Sequence, residues 1–331
     1  MSQPVIAVRG LSKEFTQKQD FAARIATKTG LAKAPGVVKA VDNVNLTVKK
    51  GEVLGLVGES GCGKSTLGRM IAGILSPTIG QIEYKGRDVT KMSRDDRNRV
   101  NLACQIIFQD PFASLNPRQR VSQIVGEAPR VHGMIKGSFE AYVSEKLSEA
   151  GLDPALRSRF PHQFSGGQRQ RIGIARALAV NPEFIVCDEA VAALDVSIQA
   201  QIINLFMDLQ EQYDLTYLFI SHDLGVVHHI SDRVAIMYLG RIVEQGPKAE
   251  LFSRPNHPYT QALLSEIPRI SVRHKTFHTI KGELPSPLNP PSGCHFHPRC
   301  PHAMPICSQV APALREVAPN QLSACHLNDV Q

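Results

Sequence analysis

The residues Gly58-Glu59-Ser60-Gly61-Cys62-Gly63-Lys64-Ser65-Thr66 match the pattern G-x-x-x-x-G-K-S. Glycines let successive backbone N–H groups turn toward one anionic centre, so the string reads as a phosphate-binding loop. Lys64 would reach the β and γ phosphates, and the Ser65 hydroxyl would bind Mg²⁺. A second group, Asp188 and Glu189, closes the apolar run IVCDE. Asp188 can hold Mg²⁺, and Glu189 beside it can polarise a water, which implies hydrolysis rather than transfer to a substrate hydroxyl. Alone, the acidic pair also fits the start of a surface loop. Beside a phosphate loop it gains a chemical role.

These groups need rigid supports. Residues 53–57 form a short apolar run before the loop, and an apolar-periodic stretch over 66–75 follows it, which predicts strand, loop and helix. The helix would point its positive dipole end at the phosphates. Residues 184–187 precede Asp188 and Glu189, and 218–220 precede Ser221 and His222; both read as buried strands. Continuous apolar strands alternating with helices predict a mainly parallel sheet covered on both faces, an α/β fold. Strands are also expected at 5–8 and 44–48, with a basic insertion loop at 17–36 between them. Residues 122–151 read as helical with glycine and proline breaks, and 234–237 with 241–244 as a closing hairpin. From residue 254 the composition shifts toward proline, histidine and cysteine, marking an appendage. The expected domains are 1–253 and 254–331.

At 331 residues with 43% apolar content the chain can bury a sizeable core. Its apolar runs fall far short of the ~20 residues that cross a bilayer. The start, MSQPVIAVRG, lacks a secretory pattern, so cytoplasmic residence is expected, and the seven cysteines there read as thiols or metal ligands rather than disulfides. A net charge of +7 suits nucleic acid, an anionic membrane surface or plain solubility. With no tryptophan and few aromatics there is no stacking platform for single strands, and the bland reading, a solvated basic face, is preferred.

The stretch FSGGQRQRIGIARAL at 164–178 resembles the signature sequence of ATP-binding-cassette proteins. A serine–glycine helix cap explains Ser165, Gly166 and Gly167, but not Gln168 and the three polar residues after it together with the order of the other motifs. The signature offers a hydroxyl and bare N–H groups at a helix start, a second anion-binding surface. The resemblance implies a P-loop NTPase (RecA-like) core with an antiparallel β subdomain and a helical signature subdomain at about 112–178. It also implies that the signature closes over ATP held by a partner subunit, so the active unit is a dimer of cassettes. Residue by residue, Gln109 in IIFQDP is similar to the glutamine that joins Mg²⁺ and water to the membrane-facing subdomain. His222 in LFISHD is similar to the switch histidine at the γ-phosphate, Asp195 in AALDV to the aspartate crossing the dimer interface, and Phe15 to the aromatic that stacks on adenine. The family commonly has proline and serine where this chain has Ala190 and Ala192. Those departures bear on coupling between the two sites and leave every charged catalytic group in place.

FQDPFASLNPR at 108–118, DVSIQAQI at 195–202, HPYTQALLSEIP at 257–268 and GELPSPLNPPSGCHFHPRCPHAMPIC at 282–307 resemble the ATPase subunits of bacterial dipeptide and oligopeptide importers. Four soft thiols, Cys294, Cys300, Cys307 and Cys325, suit an iron–sulfur cluster or a tetrahedral zinc. The resemblance implies a [4Fe-4S] cluster, with Zn²⁺ as the alternative. His295 and His297 are expected to be surface histidines, and Cys62, Cys104 and Cys187 small core residues. The resemblance further implies a peripheral ATPase at the cytoplasmic face of the bacterial inner membrane. Its partners would be a second cassette subunit, two membrane-spanning permease subunits and, indirectly, an extracytoplasmic solute-binding protein, with ATP and Mg²⁺ as ligands and no nucleic acid. Peptides lead as the solute, with nickel chelates, opines or sugars as alternatives. The rival from another class is a soluble cassette ATPase acting on nucleic acid or ribosomes. Such proteins carry two cassettes or a long coiled coil, and this chain has neither. A weakly catalytic, regulatory subunit is a third reading.

Overall fold

The computed structural model describes residues 3–16, 36–265 and 282–329. The insertion expected at 17–36, apart from Gly36, lies outside them, as do the last three residues of the 257–268 motif. Among the described residues no helix is long and apolar enough to cross a membrane.

Strands β1 (Pro4–Thr16) and β2 (Val37–Lys49) pair antiparallel, both longer than the apolar runs that predicted them. Next come β3 (Val53–Val57), helix α1 (Lys64–Ile71), β4 (Ile79–Tyr84), β5 (Arg87–Asp88), α2 (Arg94–Ala103) and β6 (Cys104–Ile107). Three helices follow: α3 (Val121–Val131), α4 (Phe139–Glu149) and α5 (Gly166–Leu178). The core resumes with β7 (Phe184–Asp188), α6 (Val196–Tyr213), β8 (Thr216–Ser221), α7 (Leu224–Ile230) and the hairpin β9 (Arg233–Tyr238) and β10 (Arg241–Pro247). Helices α8 (Lys248–Ser253) and α9 (Pro258–Ser265) and the short strands β11 (Arg315–Ala318) and β12 (Gln321–Ser323) complete it.

The strands form two sheets. One is antiparallel, ordered β2-β1-β4-β5; the other is ordered β11-β12-β10-β9-β3-β8-β7-β6. Within the larger sheet β6, β7, β8, β3 and β9 run parallel. Every residue of β3, β7 and β8 is buried, as strands covered on both faces require. The core side chains show why. On one face Phe206 of α6 meets Tyr217 and Phe219 edge-on at 5.7 and 6.1 Å between ring centroids. On the other Leu67 and Met70 of α1 pack with Leu54, Leu56, Val186 and Ile220. Helix α6 presents Ile202, Ile203, Phe206 and Leu209 inward at helical spacing, and ends where Asp214 turns left-handed at φ 53°.

The C-terminal segment continues the larger sheet, because β12 pairs antiparallel with β10. Glu244 of β10 fastens it. Fully buried, this carboxylate accepts from the backbone N–H of Asn256 at 2.8 Å and of His257 at 2.9 Å, and from Gln321 Nε2 at 2.8 Å. Three donors offset the desolvation that an isolated buried charge would suffer.

Candidate nucleotide site

Parallel strands gather the chemistry at one edge. The phosphate loop follows β3, Gln109 follows β6, Glu189 follows β7 and His222 follows β8, all at carboxy ends, where open α/β sheets bind ligands.

The loop folds around its glycines. At Gly63 φ is +108°, and a Cβ there would stand 2.1 Å from the Ala40 carbonyl oxygen of β2. At Gly58 a Cβ would meet the Met237 carbonyl oxygen, also at 2.1 Å. The Gly240 N–H donates to Cys62 O at 2.8 Å, so the β9–β10 turn braces the loop from the side. Lys64, 4% exposed, crosses the loop and donates from Nζ to Gly58 O at 2.7 Å and Glu59 O at 3.0 Å. Helix α1 begins at Lys64 and carries no acidic residue in its first turn, leaving the N-terminal dipole uncancelled.

Ser65 Oγ donates to Asp188 Oδ1 at 2.6 Å, joining the loop to β7. Burial pushes the Asp188 carboxyl above its ordinary range, while the Ser65 hydroxyl, Arg69 and Lys64 pull it back. Arg69 Nε stands 3.8 Å from Asp188 Oδ2. A desolvated carboxylate beside a hydroxyl fits a hard divalent cation, which would relieve the burial cost. Nothing in the sequence marked Arg69.

Glu189 is where the catalytic expectations meet. Its Oε2 accepts from Gln109 Nε2 at 2.9 Å and lies 3.4 Å from His222 Nδ1. The backbone at Glu189 is left-handed, φ 50°, and its N–H donates to Ile220 O at 3.0 Å. The residue is thereby anchored to β8 in a conformation that non-glycine residues seldom adopt. Ala190 behind it is buried, and the Ala192 N–H donates to Glu189 O at 3.1 Å, so both departures from the usual motif sit within this turn.

The signature residues make local contacts. Ser165 Oγ accepts the Gln168 N–H at 3.4 Å and Gln168 Oε1 accepts the Ser165 N–H at 3.1 Å, a reciprocal cap that opens α5. Gly166 and Gly167 are its first residues, and a Cβ on Gly167 would meet Ile198 Cγ2 at 2.5 Å. Asp195 is the exposed residue before α6. Phe15 lies on β1, 41% exposed, with Lys13 Nζ 5.3 Å from its ring centre.

All seven cysteines are free thiols. Cys62, Cys104 and Cys187 are buried, and burial pushes the Cys104 thiol up to about 12. In the extension the Cys294 N–H donates to Cys307 O at 2.8 Å. Burial raises the Cys294, Cys300 and Cys325 thiols, with Cys300 reaching about 11. The Met304 N–H donates to Cys307 Sγ at 3.5 Å. Four thiols are the donor type that zinc and iron–sulfur clusters take. Among the described residues, however, no three Cys, His, Asp or Glu side chains are gathered tightly enough to grip one metal ion as they stand.

The histidine expectation needs correction. His295 is buried and its Nδ1 lies 3.0 Å from Leu239 O, with burial and then Arg241 pulling its pKa down; His297 is half-buried, its Nδ1 2.9 Å from Cys294 O. Turns around the cysteines fold both rings inward. Sequence reasoning also missed that the extension touches the phosphate loop, through Arg299 and Tyr259 on Glu59.

Comparison with known proteins follows the same lines. The profile of the ABC transporter family matches residues 41–192, and that of the oligopeptide/dipeptide transporter C-terminal region matches 243–307. The oligopeptide transport ATP-binding protein AppF of Bacillus subtilis is 56% identical over 298 residues, 88% of this chain and 90% of AppF. Among solved structures, the ATP-binding cassette MJ0796, a dimer in a post-hydrolysis state with ADP and Pi, superposes with a TM-score of 0.61 at 26% identity, covering 73% of this chain and 98% of that one. The cassette cbiO1 of Clostridium perfringens, part of an ABC transporter complex, also gives 0.61 at 26% identity, covering 76% and 92%.

Proposed function

The chain belongs to the ABC transporter family and is an ATPase with the P-loop NTPase fold, and from that premise we propose that it powers import of oligopeptides or dipeptides across a membrane. Support for the peptide class comes from the match over 243–307 and from the relative's name. The chemistry rests on one observation above others: Glu189 Oε2 holds both Gln109 and His222 within reach, beside a loop whose Ser65 is bonded to Asp188.

In this reading residues 58–66 receive the phosphates of ATP, and Lys64 exchanges its loop carbonyls for phosphate oxygens. Ser65, Gln109 and Asp188 would hold Mg²⁺, which supplies charge neutralisation at the phosphates. Glu189 accepts the proton of the attacking water, His222 contacts the γ-phosphate, and Gln109 keeps the Glu189 carboxylate oriented. Phe15 stacks on adenine. Ser165, Gly166, Gly167 and Gln168 close over the ATP of a partner cassette, whose own signature completes this site, and Asp195 crosses the interface. The cassette spans 1–253 and the extension 254–331. The chain sits at the cytoplasmic face of the membrane, bound to two membrane-spanning permease subunits that receive solute from an extracytoplasmic binding protein. Copurification from gently solubilised membranes, followed by an uptake screen with peptides, tests this. If no membrane-spanning subunit accompanies the chain, the importer reading fails.

Cys294, Cys300, Cys307 and Cys325 would hold a [4Fe-4S] cluster in preference to zinc. A single zinc at about 2.3 Å from each sulfur demands a tighter gathering of thiolates than a cluster does. Such a group would supply a redox-active, loop-fastening centre, and N–H donors on the sulfurs are among the features that tune it. Anaerobic purification should give a coloured protein containing iron and acid-labile sulfide. Colourless protein with zinc and no iron refutes the cluster.

A further inference from the structure

Glu59 puts a carboxylate into the loop that must attract a polyanion, and at short range the like charge opposes binding. Arg299, 240 residues away in sequence, meets it: Nη1 donates to Glu59 Oε2 at 2.7 Å and Nη2 to Oε1 at 3.0 Å. Both carboxylate oxygens are engaged by one planar fork, the strongest geometry such a pair has. The pair is shielded, with side-chain exposures of 7% for Arg299 and 25% for Glu59. Arg299 Nη1 also donates to the Tyr238 hydroxyl at 3.4 Å. A guanidinium keeps its proton throughout the working pH range, so the charge stays in place. The Glu59 N–H is claimed from the same side, donating to the Tyr259 hydroxyl of α9 at 3.0 Å. Tyr238, Tyr259 and Phe296 pack ring against ring behind these contacts, with centroids 4.7 to 5.3 Å apart.

We propose that Arg299 is a positioning residue for nucleotide binding: it cancels the Glu59 charge and fixes the first turn of the phosphate loop, so that the C-terminal segment sets the ATP affinity of the core. Because Arg299 lies between Cys294 and Cys300, this pair links the cysteine-bearing segment directly to the loop. The proposal rests on the reading that residues 58–66 hold ATP.

The test uses the full chain in its purified assembly, with ATP binding and the KM and kcat of hydrolysis as readouts. Arg299→Ala should raise Kd and KM for ATP about tenfold, the scale of one partly buried charge, with kcat changed less than about twofold. Adding Glu59→Gln to Arg299→Ala should recover most of the lost affinity, because it removes the repelling charge. A merely structural arginine allows no such recovery. Should Arg299→Ala fail to fold, Arg299→Gln with and without Glu59→Gln reads the same difference. ATP affinity unchanged in Arg299→Ala, or equally weak in the double variant, overturns the proposal. Lys64→Ala separates the two levels: if it still binds ATP like the parent, the loop reading itself fails, whatever Arg299 does.

Discussion

Replacing Glu189 by glutamine keeps the shape of the side chain and removes its charge and basicity. Glu189 Oε2 takes a 2.9 Å hydrogen bond from Gln109 and lies 3.4 Å from His222. The glutamine carbonyl can still accept from Gln109, and exchanging a charge-assisted bond for a neutral one costs on the order of 1 kcal/mol. Loss of a general base costs about 10²–10⁴ in rate, roughly 3–5 kcal/mol of transition-state stabilisation. The chemical loss therefore exceeds the geometric one. Glu189→Gln should hydrolyse ATP about 10²–10⁴ times more slowly while binding it within a few-fold of the parent. Single-turnover phosphate release and a separate nucleotide-binding titration on the purified assembly distinguish the two quantities. Unchanged turnover refutes Glu189 as the base. An equal loss of binding and turnover refutes the reasoning differently, by making the residue a support for the loop.

Other expectations follow from local physics. Gly63→Ala puts a Cβ 2.1 Å from the Ala40 carbonyl at φ +108°, so it should lose ATP binding and about 1–3 kcal/mol of stability, measured by urea unfolding. His257 is fully buried, accepts the Tyr259 N–H on Nδ1 at 3.0 Å, and burial lowers its pKa to about 4. Since the unfolded chain holds the proton more tightly, stability from this group is complete above pH 6.5 and falls as pH drops from 6.5 toward 4, by about 3 kcal/mol. His257→Asn should flatten that part of the pH–stability profile; an unchanged slope would assign the loss to other groups.

Much of the site was legible in the chain because its chemistry is local. The phosphate loop needs glycines at fixed spacing before a helix, and these are adjacent residues, so Gly58 to Ser65 could be read directly. Asp188, Glu189 and His222 were readable because each ends an apolar run that must be a buried strand. The helix expected over 66–75 runs instead from Lys64 to Ile71, since the loop geometry starts it at once and Gly73, at φ +74°, ends it. His295 and Arg299 were misread or missed because their roles depend on partners 56 and 240 residues away. No periodicity encodes such distances.

By itself the sequence determined the reaction class, whose chemistry resides in short contiguous motifs and survives without coordinates, and it indicated the branch of the family through the resemblance of further such motifs. Tertiary structure decided which groups share an atom and which charges cancel. Parallel β6, β7 and β8 bring Gln109, Glu189 and His222 to one oxygen. The pairing of β12 with β10 carries the cysteine-rich segment onto the main sheet, and Arg299 then reaches Glu59. Strand order and the folding-back of a distant segment are products of packing the whole core, so only the folded chain reveals that its phosphate loop is tethered from its C-terminal end.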